Sequence, residues 1–285
     1  VTTNTTALPM PIKCVAPFAG GKRRLAKRIV ELLGPHDTYV EPFVGGCSIL
    51  PVKPRATAER VYDLNKDVTR VLWGLMTDTA WILMILRERT FSREAFDAAV
   101  NNLAAATTFY GTEHVADLLT VWWMGPGGIA GTKRKGWFAQ RHTKTGGCPA
   151  KRWASFLESV PALGDRVSGV GVFRGDSLMM LEDDREGLDR AGTVIYCDPP
   201  YLTKSFQYVV DFKAEGHTIL AETLNRYRRA RVVVSYYDDG AGTLARLYPP
   251  SRWRRIEVQM SKNMSAASGA TGRAVEVLLV NDVGK

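Results

Sequence analysis

Apolar residues at helical spacing open the readable part of the chain. Leu25, Ile29 and Leu32 fall on one face of a predicted helix from Lys22 to Leu33, which Gly34-Pro35 closes. Short apolar runs then predict strands at Thr38–Phe43 and Arg60–Asp63. From Val68 to about Leu119 the pattern turns helical, rich in Leu, Ala, Trp and Met. Strand patterns return at Val170–Arg174, Thr193–Cys197, Arg231–Tyr236, Arg255–Met260 and Ala274–Val280, with a predicted helix from about Thr218 to Arg229. Seven strands separated by helices predict a mainly parallel α/β sheet. The stretch between the second and third strands is too long for a loop. It predicts an insert at 69–165 within a main domain formed by 1–68 and 166–285.

Charge alters this picture at one place. The chain of 285 residues has a formal charge of +9 and a pI near 9.4. Such a balance favours a polyanionic partner only where the charge is clustered. Between Thr132 and Trp153 stand Lys133, Arg134, Lys135, Arg141, Lys144, Lys151 and Arg152, with no Asp or Glu. Trp137, Phe138 and Trp153 are interleaved with them. Cations that neutralise phosphates and rings that stack on or wedge between bases predict a nucleic-acid contact here. The plainer alternative is a solvated loop around a few core aromatics. Smaller clusters at Arg226, Arg228, Arg229 and Arg231, and at Arg252, Arg254 and Arg255, read equally well as solvated faces.

The four cysteines are 33, 101 and 49 residues apart, so no metal-type pair exists and no metal is expected. Reduced thiols, a Thr-rich N-terminus unlike a signal peptide, and the lack of a span-length apolar run predict a cytoplasmic protein with no membrane partner.

The chemistry-bearing motifs lie at strand ends, where open α/β sheets bind ligands. Asp198-Pro199-Pro200-Tyr201 follows the strand Thr193–Cys197. A carboxylate that accepts from an amine, a stiff diproline and a flat ring suit a planar amino-heterocycle. Glu41-Pro42-Phe43-Val44-Gly45-Gly46 is a strand followed by a glycine turn, open to a nucleotide-like cofactor or simply a tight turn. Asp63-Leu64-Asn65 and Gly175-Asp176-Ser177 offer acids for a ribose, with loop-starting Asx turns as the bland reading. Phe18-Ala19-Gly20-Gly21-Lys22 leads directly into the first predicted helix and would suit a carboxylate, or mere helix entry. The Gly/Ser-rich Ser261–Gly272 reads as a loop near the ligand or as a hairpin connection without a role.

Taken in order, PFAGGK, EPFVGG, YDLN, GDS and DPPY resemble the Dam-like adenine-N6 DNA methyltransferases in their alpha motif arrangement. The resemblance covers roughly residues 16–280 and is thinnest between 69 and 165. It implies a Rossmann-like fold of about seven strands, S-adenosylmethionine as cofactor, double-stranded DNA as partner, and 69–165 as a helical, basic target-recognition insert. Phe18, where many relatives have Trp, and Lys22 match cofactor-contacting positions, with Ala19, Gly20 and Gly21 between them. By the same resemblance Glu41, Phe43 and Gly45 shape the methionine pocket, Asp63 with Asn65 holds the ribose, and Asp176 with Ser177 meets the cofactor adenine. Asp198 serves both cofactor and target. The family's F-x-G-x-G departs here to Phe43-Val44-Gly45-Gly46-Cys47. The implied mechanism has Asp198 and the Pro200 carbonyl accept the N–H bonds of a flipped adenine, stacked on Tyr201. Rivals are cytosine-N4, RNA-adenine and protein-amide methylation, or a DNA-binding relative without catalysis. The leading aspartate favours adenine. Whether a restriction endonuclease accompanies the chain stays open.

Overall fold

The computed structural model describes residues 14–18, 20–106, 111–126, 130, 136–137, 148–201, 212–237, 240–260, 274–281 and 283. The elements run α1 (Ala26–Leu33), β1 (Thr38–Glu41), β2 (Ala58–Asp63), α2 (Lys66–Thr77), α3 (Thr79–Glu88), α4 (Arg93–Ala105), α5 (Thr112–Met124) and α6 (Pro149–Val167). They continue β3 (Gly171–Arg174), α7 (Ser177–Asp183), α8 (Arg185–Leu188), β4 (Thr193–Cys197), α9 (Ala214–Leu224), β5 (Arg231–Tyr237), α10 (Thr243–Leu247), β6 (Trp253–Met260) and β7 (Ala274–Asn281).

The strands form one Rossmann-like sheet in the order β3-β2-β1-β4-β5-β7-β6. The pairs β1–β2, β1–β4 and β4–β5 are parallel, whereas β7 runs antiparallel between β5 and β6. β4 is buried at all five positions, as expected of a central strand covered on both faces.

Packing divides the chain into two compact units: residues 1–26, 45–53 and 65–172, and residues 27–44, 54–64 and 173–285. The assignment of roles to a catalytic domain and a recognition insert remains a proposal. The second unit is built on the sheet. Beneath the sheet Val40, Ile195, Val232, Val234 and Leu279 pack with Leu220, Leu224 and Tyr227, all buried.

The first unit is helical. The expected helical stretch from Val68 to Leu119 resolves into four helices, α2 to α5. Asp78 ends α2 and begins α3, and the two axes bend by 106°. Ser92 caps α4 by accepting from the Ala95 N–H at 3.1 Å. Trp123 on α5 stacks on Phe156 of α6, with ring centroids 4.3 Å apart, and its indole N–H donates to the Val15 carbonyl at 2.9 Å. No single described helix is long and apolar enough to cross a membrane.

Close helix approach in this unit depends on Gly164. A Cβ there would lie 2.0 Å from Thr79 Oγ1 and 2.8 Å from its Cβ. Helix propensity alone favours alanine over glycine by about 1 kcal/mol. The clash reverses that sign, so Gly164→Ala is expected to destabilise by about 1–3 kcal/mol, read as a lowered urea midpoint.

Several predicted boundaries shift: β1 ends at Glu41 rather than Phe43, β2 begins at Ala58 rather than Arg60, and β6 at Trp253 rather than Arg255. The first helix begins at Ala26 rather than Lys22, because Leu25 N–H bonds the Lys22 carbonyl in a preceding turn. The helix expected over 218–229 occupies Ala214–Leu224. It stops where Asn225 and Tyr227 find other partners: Asn225 Nδ2 donates to the Leu247 carbonyl at 2.9 Å, and the Tyr227 hydroxyl to the Leu181 carbonyl at 2.7 Å.

Candidate active site

In the second unit the carboxyl ends of four neighbouring strands converge on acidic residues. Glu41 ends β1, Asp63 ends β2, Asp176 follows β3 and Asp198 follows β4. The strand ends are tied together by backbone bonds. Gly175 N–H donates to the Asp63 carbonyl at 3.3 Å, and Val44 N–H to the Tyr62 carbonyl at 3.0 Å. Glu41 is buried, and its carboxylate accepts from the Tyr39 hydroxyl at 2.9 Å. Burial, with the nearby Asp198 and Glu41 carboxylates, pushes the Cys197 thiol far up, so it stays protonated. It is therefore no nucleophile.

Asp198 is half-buried, and Pro199 beside it is buried. Tyr201 is only 6% exposed, and its ring lies 4.5 Å from that of Tyr237, tilted by 56°. Tyr237 thus covers part of the Tyr201 ring. Asp176 caps α7 by accepting from the Leu178 N–H at 2.8 Å, and Ser177 Oγ donates to the Pro42 carbonyl. Asp176 thus carries the local turn role, whereas Ser177 ties the start of α7 to the residue after β1.

His217, which the sequence reading passed over, joins this region. It is 2% exposed on α9, and its Nδ1 lies 3.0 Å from the Tyr236 hydroxyl. Its ring meets Phe212 edge-on at 4.7 Å, and Phe212 meets Phe43 edge-on at 5.6 Å. The ring ladder thus reaches Phe43, just past the end of β1. A histidine three residues before a buried leucine on an amphipathic helix gave no signal beyond core packing.

Burial pulls the His217 imidazole down to about 4. The unfolded chain, with a histidine near 6.5, then binds the extra proton first. This contribution to stability is complete above about pH 6.5 and is lost as pH falls toward 4, by at most about 3 kcal/mol. His217→Gln is expected to flatten that part of the pH dependence, measured as urea midpoints at pH 5 and 7.5.

The first unit carries the glycines of both motifs. Val15 and Ala16 N–H both reach the Gly46 carbonyl, at 3.0 and 3.3 Å. A Cβ on Gly46 would sit 2.5 Å from the Ala16 carbonyl oxygen, so the chains meet where no side chain fits. The Phe18 ring covers Gly45, within 3.3 Å of where its Cβ would be. Cys47 is the single non-glycine with positive φ among the described residues, at +52°. It is fully buried. The cysteine thus keeps the left-handed backbone that glycine adopts most readily. Lys22 is buried, with its ammonium donating to the Gly20 carbonyl at 2.8 Å. Asn65 caps α2, its Oδ1 accepting from the Asp67 N–H at 3.0 Å.

Residues 18–104 match the family of D12 class N6 adenine-specific DNA methyltransferases. The matched span contains the motifs at Phe18–Lys22, Glu41–Gly46 and Asp63–Asn65 and bears out the Dam-like resemblance there. It supports methyl transfer as the activity. No curated protein matches the chain. Among solved structures, the rRNA methyltransferase aviRa from Streptomyces viridochromogenes is similar at 12% identity and a TM-score of 0.38, over 98% of this chain and 88% of that one. A Streptococcus mutans protein provisionally described as a methyltransferase, in complex with SAH, is similar at 8% identity and a TM-score of 0.40, over 91% of this chain and 96% of that one.

Of the basic stretch, Lys133, Arg134, Lys135, Phe138, Arg141 and Lys144 lie outside the described residues, as do Ala19 and the Ser261–Gly272 segment. Lys151 is exposed on α6. Arg152 donates to the Trp123 and Gly125 carbonyls at 2.6 and 2.8 Å, a structural task at the end of α5. Trp137 packs on Phe91, with centroids 4.8 Å apart, and on Phe96 at 5.7 Å.

Proposed function

We propose that the chain transfers a methyl group from S-adenosylmethionine to N6 of an adenine flipped out of duplex DNA. The observation that carries this reading is the placement of Asp198-Pro199-Pro200-Tyr201 just past the buried central strand β4, beside the strand ends bearing Glu41 and Asp63. Carboxylates grouped at strand ends fit the cofactor's cationic and hydroxyl groups, so Glu41 and Asp63 are assigned to hold it. When bound, S-adenosylmethionine supplies an electrophilic methyl group on a sulfonium.

The chain's own part is to prepare the amine. An exocyclic adenine nitrogen is a poor nucleophile because its lone pair is delocalised into the ring. Asp198 accepts one N–H and the Pro200 carbonyl the other, drawing the nitrogen toward tetrahedral geometry. Fixed acceptors at a partly buried site cost little reorganisation during reaction. The diproline limits backbone motion between the acceptors, so orientation is set before the reaction. Flipping a paired base costs a few kcal/mol, which phosphate contacts from the basic stretch offset.

Retention of the left-handed backbone at Cys47 speaks against the non-catalytic alternative, because the departure from the family motif leaves the turn's conformation in place. Incubation with tritiated cofactor and unmethylated duplex DNA tests the reading. Tritium in the DNA is expected. Tight DNA binding without incorporation at saturating cofactor points instead to a binding protein.

The DNA contact has its own test. Replacing Lys133, Arg134 and Lys135 by alanine is expected to weaken duplex binding and reduce the slope of log affinity against log salt by about 3. A slope equal to that of wild type moves the phosphate contact elsewhere on the chain.

A further inference from the structure

The arginines near residue 228 stand on a turn pinned with unusual thoroughness. Between α9 and β5, the Asp189 carboxylate accepts from the backbone N–H groups of Arg228, Arg229 and Ala230, at 2.7 to 3.0 Å. Asn281 Nδ2 donates to the Ala230 carbonyl at 2.9 Å, and Arg252 donates to the Tyr227 carbonyl. Burial pushes the Asp189 carboxyl up, but the three N–H groups outweigh it and hold the carboxyl below its ordinary value. Its charge is thus directed at the backbone. The side chains of Arg228 and Arg229 remain exposed, as does Arg190 next to Asp189. Neighbouring arginines differ. Arg226 pairs with Glu182, and Arg231 donates to the Leu32 carbonyl at 3.3 Å. Among the described residues, Arg190, Arg228 and Arg229 make no ion pair.

We propose that Arg190, Arg228 and Arg229 form a phosphate-binding platform for a second nucleic-acid duplex, at the sheet edge opposite Asp198. Arg190 precedes β4 and the turn precedes β5, whereas Asp198 follows β4. A five-residue strand separates the two edges by roughly 17 Å, about two Debye lengths at physiological salt. Charge at this edge therefore adds little to a duplex engaged at Asp198, and phosphates bound here belong to another segment. Guanidinium forks suit phosphate oxygens. Solvation alone does not require a fixed backbone beneath such side chains. Pinning the turn lowers the ordering cost of each contact. The choice of nucleic acid as the polyanion rests on the DNA reading above; the platform itself does not depend on methyl transfer.

The test uses the full chain bound to one immobilised duplex and measures capture of a second, labelled duplex of random sequence. Wild type is expected to capture it. Combined Arg190→Glu, Arg228→Glu and Arg229→Glu should reduce capture about 10-fold or more, while methylation of a short single duplex stays within about 2-fold of wild type. Undiminished capture by the triple variant, or no capture by wild type, overturns the proposal. So does poly-glutamate displacing the second duplex as effectively as unlabelled DNA. Capture by wild type without any methyl transfer would leave the platform standing and sink the methyltransferase reading instead.

Discussion

Asp198→Ala is expected to reduce methyl transfer by about 10³-fold or more while leaving the fold intact. Loss of one preorganised group at a reacting centre costs about 10²–10³ in rate, and the proposed function gives Asp198 the part of charged acceptor for the target amine. The side chain is half-buried at the end of β4, and the strand's own five positions are buried without it. Thermal midpoint and urea slope should therefore stay close to wild type. Asp198→Asn keeps one acceptor oxygen and is expected to fall between the two. Near-normal turnover of the alanine variant would remove Asp198 from the chemistry.

Gly46→Ala carries the largest expected effect on stability. Its Cβ would lie 2.5 Å from the Ala16 carbonyl oxygen and 3.0 Å from Phe18 Cβ. Neither is the far end of a flexible side chain, so the backbone must move. The same movement would lengthen the bonds by which Val15 and Ala16 N–H reach the Gly46 carbonyl. Overpacking alone costs about 1–3 kcal/mol, and a weakened buried bond about 1 more, so a loss of roughly 2–4 kcal/mol is expected by chemical denaturation. A variant as stable as wild type would mean the two segments do not meet this closely.

Much of the sheet was legible because its strands are short apolar runs at strand ends rich in turn residues. β4 was read at Thr193–Cys197 and lies there. Strand order was not legible, since burial along β7 does not reveal that it inserts antiparallel between β5 and β6. The end of α9 was misplaced for a related reason: the partners of Asn225 and Tyr227, Leu247 and Leu181, are distant in sequence. At the candidate site, DPPY and the strand-end acids were visible as residue types in order. The Tyr201–Tyr237 contact, the His217 ladder and the positive φ of Cys47 depend on tertiary packing that no local pattern encodes. The reverse also holds. Asp176 and Asn65, singled out for ligands, are helix caps in the fold, because an acceptor at that position satisfies backbone N–H groups first.

Nucleoside analysis identifies the methylated atom directly. Unmethylated duplex DNA is incubated with the chain and S-adenosylmethionine, digested to nucleosides, and resolved by mass spectrometry. N6-methyldeoxyadenosine is expected, and is expected to be absent from the Asp198→Ala reaction. Methylated cytosine as the sole product, or no methylated nucleoside from a protein that binds both cofactor and DNA, would contradict transfer to adenine N6.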